Sequence, residues 1–196
     1  MNTSPRPRGN REAQALERRN QLIDTALSVF AEKGLEGATV KELSKAAGVA
    51  QGLMYHYFRS KQDLLEAVRE RHSFREEMER TLQVGRDQPA GEVMLQVALG
   101  YRQMLDTSDK LVRVILQEAQ TNPTVWEMLQ GVIRDGVTRF AAYLDHRISV
   151  GELRPHDTEV SARTLFYAVF MSYFTRVPAG DFIPAMVSTL LEGVRA

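Results

Sequence analysis

Apolar residues recur along this chain at helical rather than strand spacing. Leu16, Ile23, Leu27 and Phe30 fall on one face of a helix, which Gly34 stops. Sustained period-two alternation and Asn-Gly or Asp-Gly turns are absent, so strands are not expected. Beyond residue 60 the pattern predicts long helices separated by evident breakers: Lys61 to about Val84 (then Gly85 and Pro89), Gly91 to Leu105, Asp109 to Gln120, Thr124 to Val150, Asp157 to Arg176 and Asp181 to Val194. Gly131 and Gly136 weaken the fourth of these by about 1 kcal/mol each relative to Ala and invite a kink. The fold class that follows is all-α, with about nine helices, no internal repeat and no low-complexity tract.

Between residues 37 and 60 the helices become short. Thr39 and Glu42 form the Thr-x-x-Glu capping box that satisfies free amides at a helix start. Val40, Leu43 and Ala47 line one face of about two turns, and Gly48 supplies a residue tolerant of positive φ at a sharp turn. A second short helix then runs from about Val49 to His56. Two short helices around a glycine, the second projecting outward, make a helix-turn-helix, in which the second helix enters the major groove of DNA. Tyr57 and Phe58 read as apolar anchors, and Ser60 caps the next helix. Lys61 in that helix's first turn is unfavourable for the helix dipole, a cost that makes sense if the ammonium faces a phosphate.

Charge supports a division of labour. The whole chain is balanced at 25 basic and 25 acidic residues, which excludes a chain-wide basic coat. Residues 1–61 nevertheless carry ten Lys and Arg against six acids, and the remainder carries the opposite excess. Residues 1–10, rich in Pro and small polar residues around Arg6 and Arg8, read as a disordered basic arm, equally a solvated tail or a contact to a minor groove or phosphates. Cysteine is absent, which rules out disulfides and thiolate sites, and the four histidines never stand at i, i+4, so no metal or other cofactor is expected. Thr164 to Phe174, the longest apolar run, lies between Arg163 and Arg176 and falls short of the ~20 residues a membrane span needs. The N-terminus lacks the apolar stretch of a secretory signal. A soluble cytoplasmic protein is the expectation.

The string Thr39-x-x-Glu42-Leu43-Ser44-x-Ala46-Ala47-Gly48-Val49-x-x-Gly52-x-x-Tyr55-x-Tyr57-Phe58-x-Ser60-Lys61-x-x-Leu64-Leu65 resembles the N-terminal domain of the TetR family of bacterial transcriptional regulators. Ala26, Phe30 and Gly34 of the preceding helix fit the same pattern, so the resemblance covers roughly residues 15–70. It implies phosphate contacts for Thr39, Tyr55 and Lys61, and base or sugar contacts for Gln51, Gly52, Leu53 and His56. Ala50 and Leu53 depart from the family's pattern, Ala50 standing where a capping Ser or Thr is usual. Gln51 is left as the best polar group for base readout, since its amide can pair bidentately with adenine.

The organisation expected is an arm (1–10), a three-helix DNA-binding domain (11–60, motif about 39–58), a connecting helix (61–84) and a ligand-binding and dimerisation domain (85–196). The segment Asp157–Arg176 is apolar nearly all round, so both its sides must be covered. One side falls to its own domain, and the other suggests a partner copy. The expected dimer residues are Leu165, Val169, Tyr173, Met186, Val187, Leu190, Leu191 and Val194, in keeping with the family's habit of dimerising through its last two long helices. Tyr101, Met104, Trp126, Phe140, Phe166 and Phe170 are large adaptable side chains suited to a small apolar effector, although such stripes also build ordinary cores.

These readings together predict a homodimeric transcriptional repressor, released from a pseudo-palindromic double-stranded operator by a small, largely apolar ligand. The alternative is a helical small-molecule binding or scaffolding protein with a vestigial DNA-binding end, for which Ala50 and Leu53 are the best support. No nucleophile elbow, P-loop, Rossmann glycine pattern or metal constellation occurs, so an enzyme is not expected.

Overall fold

The computed structural model of the chain describes residues 8–194, with side chains from Glu12 onward. Among these residues every regular element is helical: α1 (Arg8–Gly37), α2 (Val40–Ala46), α3 (Gln51–Tyr57), α4 (Lys61–Arg71), α5 (Arg75–Val84), α6 (Ala90–Thr107), α7 (Asp109–Ala119), α8 (Pro123–Ser149), α9 (Thr158–Phe174) and α10 (Ala179–Val194). The chain is all-α, as its periodicity predicts. Arg6 lies outside the described residues. Arg8 opens α1, so that helix begins inside the stretch read as an arm; the Arg8 side chain is also outside the described set.

The chain divides into two compact units. The first runs through His72 and includes Lys110–Glu118, and the second takes Ser73–Asp109 and the chain from Ala119 onward. Two domain boundaries differ from the sequence reading. The connecting helix expected over 61–84 is two helices, broken at His72–Phe74, where the Ser73 hydroxyl accepts from the Arg75 amide at 3.1 Å and starts a new turn. Most of α7, expected in the ligand domain, belongs to the first unit.

In the first unit α1 packs on α4 and α2, and α2 packs on α3. Leu22, Ile23, Ala26, Val29 and Phe30 bury one face of α1, matched by Leu64, Leu65, Ala67 and Val68 of α4. Leu16 departs from the expected stripe and is 59% exposed, because α1 runs on past the part of it that the other helices cover. Arg71 of α4 grips the Asp24 carboxylate of α1 through two bonds, at 2.8 and 3.0 Å. The α1 helix breaks where glycine predicts it: Gly34 has φ 70 and ψ 172, a left-handed backbone that other residues rarely adopt.

In the second unit α6 lies against α5, α9 and α10, while α9 also packs on α8 and α10. Its core is drawn from Val93, Met94 and Val97 of α6, Phe140 and Leu144 of α8, Leu165 and Val169 of α9, and Ile183 of α10. One charge is buried there and fully engaged. Arg147 donates to the carbonyls of Gly85 (2.8 Å) and Gln88 and to the Tyr143 hydroxyl (3.0 Å), and pairs with Glu152 at 3.2 Å. The Glu152 carboxylate in turn accepts from the Ala90 amide, which ties the turn after α8 to the start of α6. Gly131 and Gly136 leave α8 continuous.

Candidate nucleic-acid interface

α2 is closed at both ends by its own sequence. Thr39 Oγ1 accepts from the Glu42 amide at 3.2 Å, and the Thr39 amide donates to the Glu42 carboxylate at 3.3 Å, completing the capping box. Glu42 also pairs with Lys33 of α1, and this hydrogen bond holds its carboxyl below the usual carboxylate range. At the other end the Gly48 amide donates to the Lys45 carbonyl (3.2 Å) and the Val49 amide to the Ser44 carbonyl (3.0 Å). This pair of bonds is the Schellman closure, and it needs the left-handed residue that Gly48 supplies at φ 64. Expectations for the capping box and the glycine turn are met in full.

α3 is held differently. Ala50 stands at its N-cap with no side-chain hydrogen bond, so the missing hydroxyl noted in the sequence is a missing cap in the structure. The helix is anchored from beneath by Met54 and by Phe58, which follows its last turn; both are buried, and the Arg19 guanidinium lies 5.3 Å above the Phe58 ring. Gln51, Gly52, Tyr55 and His56 stand in solvent, with Tyr55 55% exposed, while Leu53 and Tyr57 are half-buried. One seven-residue helix therefore separates an apolar underside from an outer face of amide, phenol and imidazole groups.

Two flanking residues need comment. Ser60 caps α4 as expected, its hydroxyl accepting from the Asp63 amide at 3.0 Å. Lys61 is half-buried and its ammonium donates to the Leu35 carbonyl at 2.6 Å, so its place in a first helical turn has an internal reason that the sequence did not disclose. The reading also missed the flank of α3 facing α1, where Gln14, Arg18 and Gln21 line a groove of about 510 Å³ with Leu53 and Tyr57. Their spacing along one face of α1 was the available signal.

In the second unit Tyr101, Phe140 and Phe166 do come together: the Tyr101 and Phe140 rings lie 5.2 and 5.7 Å from Phe166. Burial pushes the Tyr101 hydroxyl well above the usual phenol range, so it is a neutral group. Phe170 stacks on Phe174 instead, with centroids 6.2 Å apart, and Met104 is half-buried. Trp126 does not converge with the others and is 51% exposed on α8.

The expected dimer residues also divide. Leu165, Val169 and Val187 are buried within the protomer and cannot form a surface, and the half-buried Tyr173 donates its hydroxyl to Asp109 at 2.7 Å. Met186, Leu190, Leu191 and Val194 are half-buried. The apolar face that α9 leaves open is instead Val160, Tyr167, Met171 and Phe174. An all-round apolar helix gives no sign of which side its own bundle covers, and that is why the sequence could not tell that Leu165 and Val169 are buried within the protomer.

A small helix pair presenting a polar outer face, joined to a separate helical bundle, is an architecture suited to a DNA-binding regulator. Residues 22–68 match the bacterial regulatory proteins of the tetR family, and residues 92–181 match the C-terminal domain of AefR-like transcriptional repressors. The chain belongs to the TetR family. It is 38% identical over 56 residues to the transcriptional repressor KstR2 of Mycolicibacterium smegmatis, covering 29% of this chain and 27% of that protein. It is 48% identical over 51 residues to the transcriptional regulator BetI of Escherichia coli, covering 26% of each. The chain thus matches these relatives over about a quarter of their length. Among solved structures, a SmeT–triclosan complex aligns with a TM-score of 0.74 at 26% identity, covering 92% of each chain. No helix among the described residues is long and apolar enough to cross a membrane.

Proposed function

We propose that this chain is a cytoplasmic, homodimeric transcriptional repressor that reads a pseudo-palindromic operator and is released by a small, largely apolar ligand bound in the second unit. The observation that supports this best is the division of α3, with Met54 and Phe58 buried beneath a solvent-facing row of Gln51, Tyr55 and His56. Two such helices held ~34–36 Å apart fit successive major grooves. Gln51 reads a base edge through its amide, with Gly52, Leu53 and His56 close to bases or sugars. Thr39 and Tyr55 meet phosphates, Lys61 adds charge while tied to Leu35, and Arg18 supplies a guanidinium on the α1 side.

The second copy docks on the open face of α9 (Val160, Tyr167, Met171, Phe174), extended by the half-buried apolar residues of α10. The ligand sits against the Tyr101–Phe166–Phe140 cluster, with Met104 and Phe170 at its edge. SmeT, at 26% identity, was solved with triclosan, which supports a small-molecule role for this chain.

The test is to enrich duplexes from a random pool with the wild-type chain and measure binding against salt. Gln51→Ala relaxes preference at one base position, by about 1–3 kcal/mol, and leaves the salt dependence unchanged. A wild type that prefers no duplex overturns the reading. Sedimentation tests the dimer: Met171→Glu yields a single protomer, and a wild type already monomeric at micromolar concentration rejects it.

A further inference from the structure

The backbone of Leu35 is held on both sides by residues remote in sequence. Its N–H donates to Glu118 Oε1 of α7 at 2.7 Å, and its carbonyl accepts from Lys61 Nζ of α4 at 2.6 Å. Gly34 leaves room for this contact: a Cβ there would stand 3.0 Å from the same carboxylate oxygen and press it aside. One residue earlier, Lys33 pairs with Glu42 of α2. The end of α1 is therefore the point where ties from α2, α4 and α7 meet.

Lys61 is the first residue of α4, and only Phe58, Arg59 and Ser60 separate it from α3. The position of the Leu35 carbonyl thus bears directly on where α3 is presented. Glu118 itself borders a cleft of about 360 Å³ lined by Phe30, Gly34, Val114 and Gln117, so its carboxylate can leave the Leu35 amide without displacing tightly packed side chains. The helices before and after α7 in the chain, α6 and α8, fold into the second unit.

We propose that Glu118 is a positioning residue for the DNA-reading helix. With its carboxylate on the Leu35 N–H, the Leu35 carbonyl is fixed for Lys61, the start of α4 is pinned, and α3 is presented at one angle. Withdrawal of the carboxylate loosens all three and costs sequence preference rather than general attraction to DNA. The proposal rests on the DNA-binding reading above.

The experiment uses the full chain, a duplex enriched by the wild type from a random pool, and a random duplex of equal length. Glu118→Ala lowers the preference for the enriched duplex about 10-fold, within the usual range of coupling between sites, while affinity for the random duplex stays within about two-fold. Hydrogen exchange at the Leu35 amide becomes faster. Glu118→Gln, whose amide oxygen still accepts, restores most of the preference. If the alanine variant does not fold, Glu118→Met keeps the stem without an acceptor and carries the same comparison. Faster Leu35 exchange with unchanged preference overturns the proposal, as does a parallel loss of both affinities. A wild type that enriches no sequence removes the DNA-binding reading itself and the positioning role with it.

Discussion

α2 and α3 are equally short, seven residues each, and yet they are held by opposite means. α2 carries its own instructions: Thr39 and Glu42 close its start, and Gly48 closes its end. α3 begins at a bare Ala50 and relies on Met54 and Phe58 set into the core beneath it. A helix of this length is unstable alone in water, so both depend on the fold, but α3 depends on it far more. The lesson is a separation of duties. α2 is fixed by local chemistry, whereas the outer face of α3 takes no part in the ties that hold the unit together. Residues there can change without loosening the unit.

The comparison breaks most readily at Phe58. Phe58→Ala removes the main anchor of α3 and lowers stability in urea unfolding by about 3–5 kcal/mol; a loss near that of a cap mutant would mean α3 is held locally, like α2. Gly48→Ala comes next. Nothing lies within 4 Å of an added Cβ there, so its cost is the left-handed backbone alone, about 1–2 kcal/mol in the same assay. Thr39→Ala removes the box from α2 and costs about 1 kcal/mol, with Thr39→Ser recovering most of it. Ala50→Ser sharpens the contrast from the other side: a hydroxyl reaching the Gly52 amide in the first turn gives α3 the side-chain cap it lacks and raises stability by about 0.5–1 kcal/mol. No gain would mean that the turn after Gly48 keeps that hydroxyl away.

Features with a local cause were legible in the sequence. The capping box, the glycine turn, the Ser60 cap and the stop at Gly34 each depend on residues within four positions, and each stands where the spacing put it. The break at His72–Phe74 was not legible, because Ser73 acts there without a glycine or proline to mark it. The partners of Lys61 and Glu118 were hidden for a different reason: the Leu35 backbone they share offers no side-chain signature, and Glu118 lies 83 residues away from it. On α9, Leu165 and Tyr167 look alike to any periodicity argument, and only the bundle decides which is covered. Trp126 illustrates the same point, since a large aromatic on a helix tells nothing of which way that helix turns.

The open row on α9 from Val160 to Phe174 runs about 21 Å along the helix axis. The chain carries 25 basic and 25 acidic residues, so near neutral pH little net charge opposes the approach of one copy's greasy seam to another's or to a vessel wall. If a second copy covers this seam as proposed, dilution uncovers it, and adsorption to vessel walls at low concentration is the expected outcome. Buffers a unit or two away from neutrality, where net charge grows, are expected to reduce such losses.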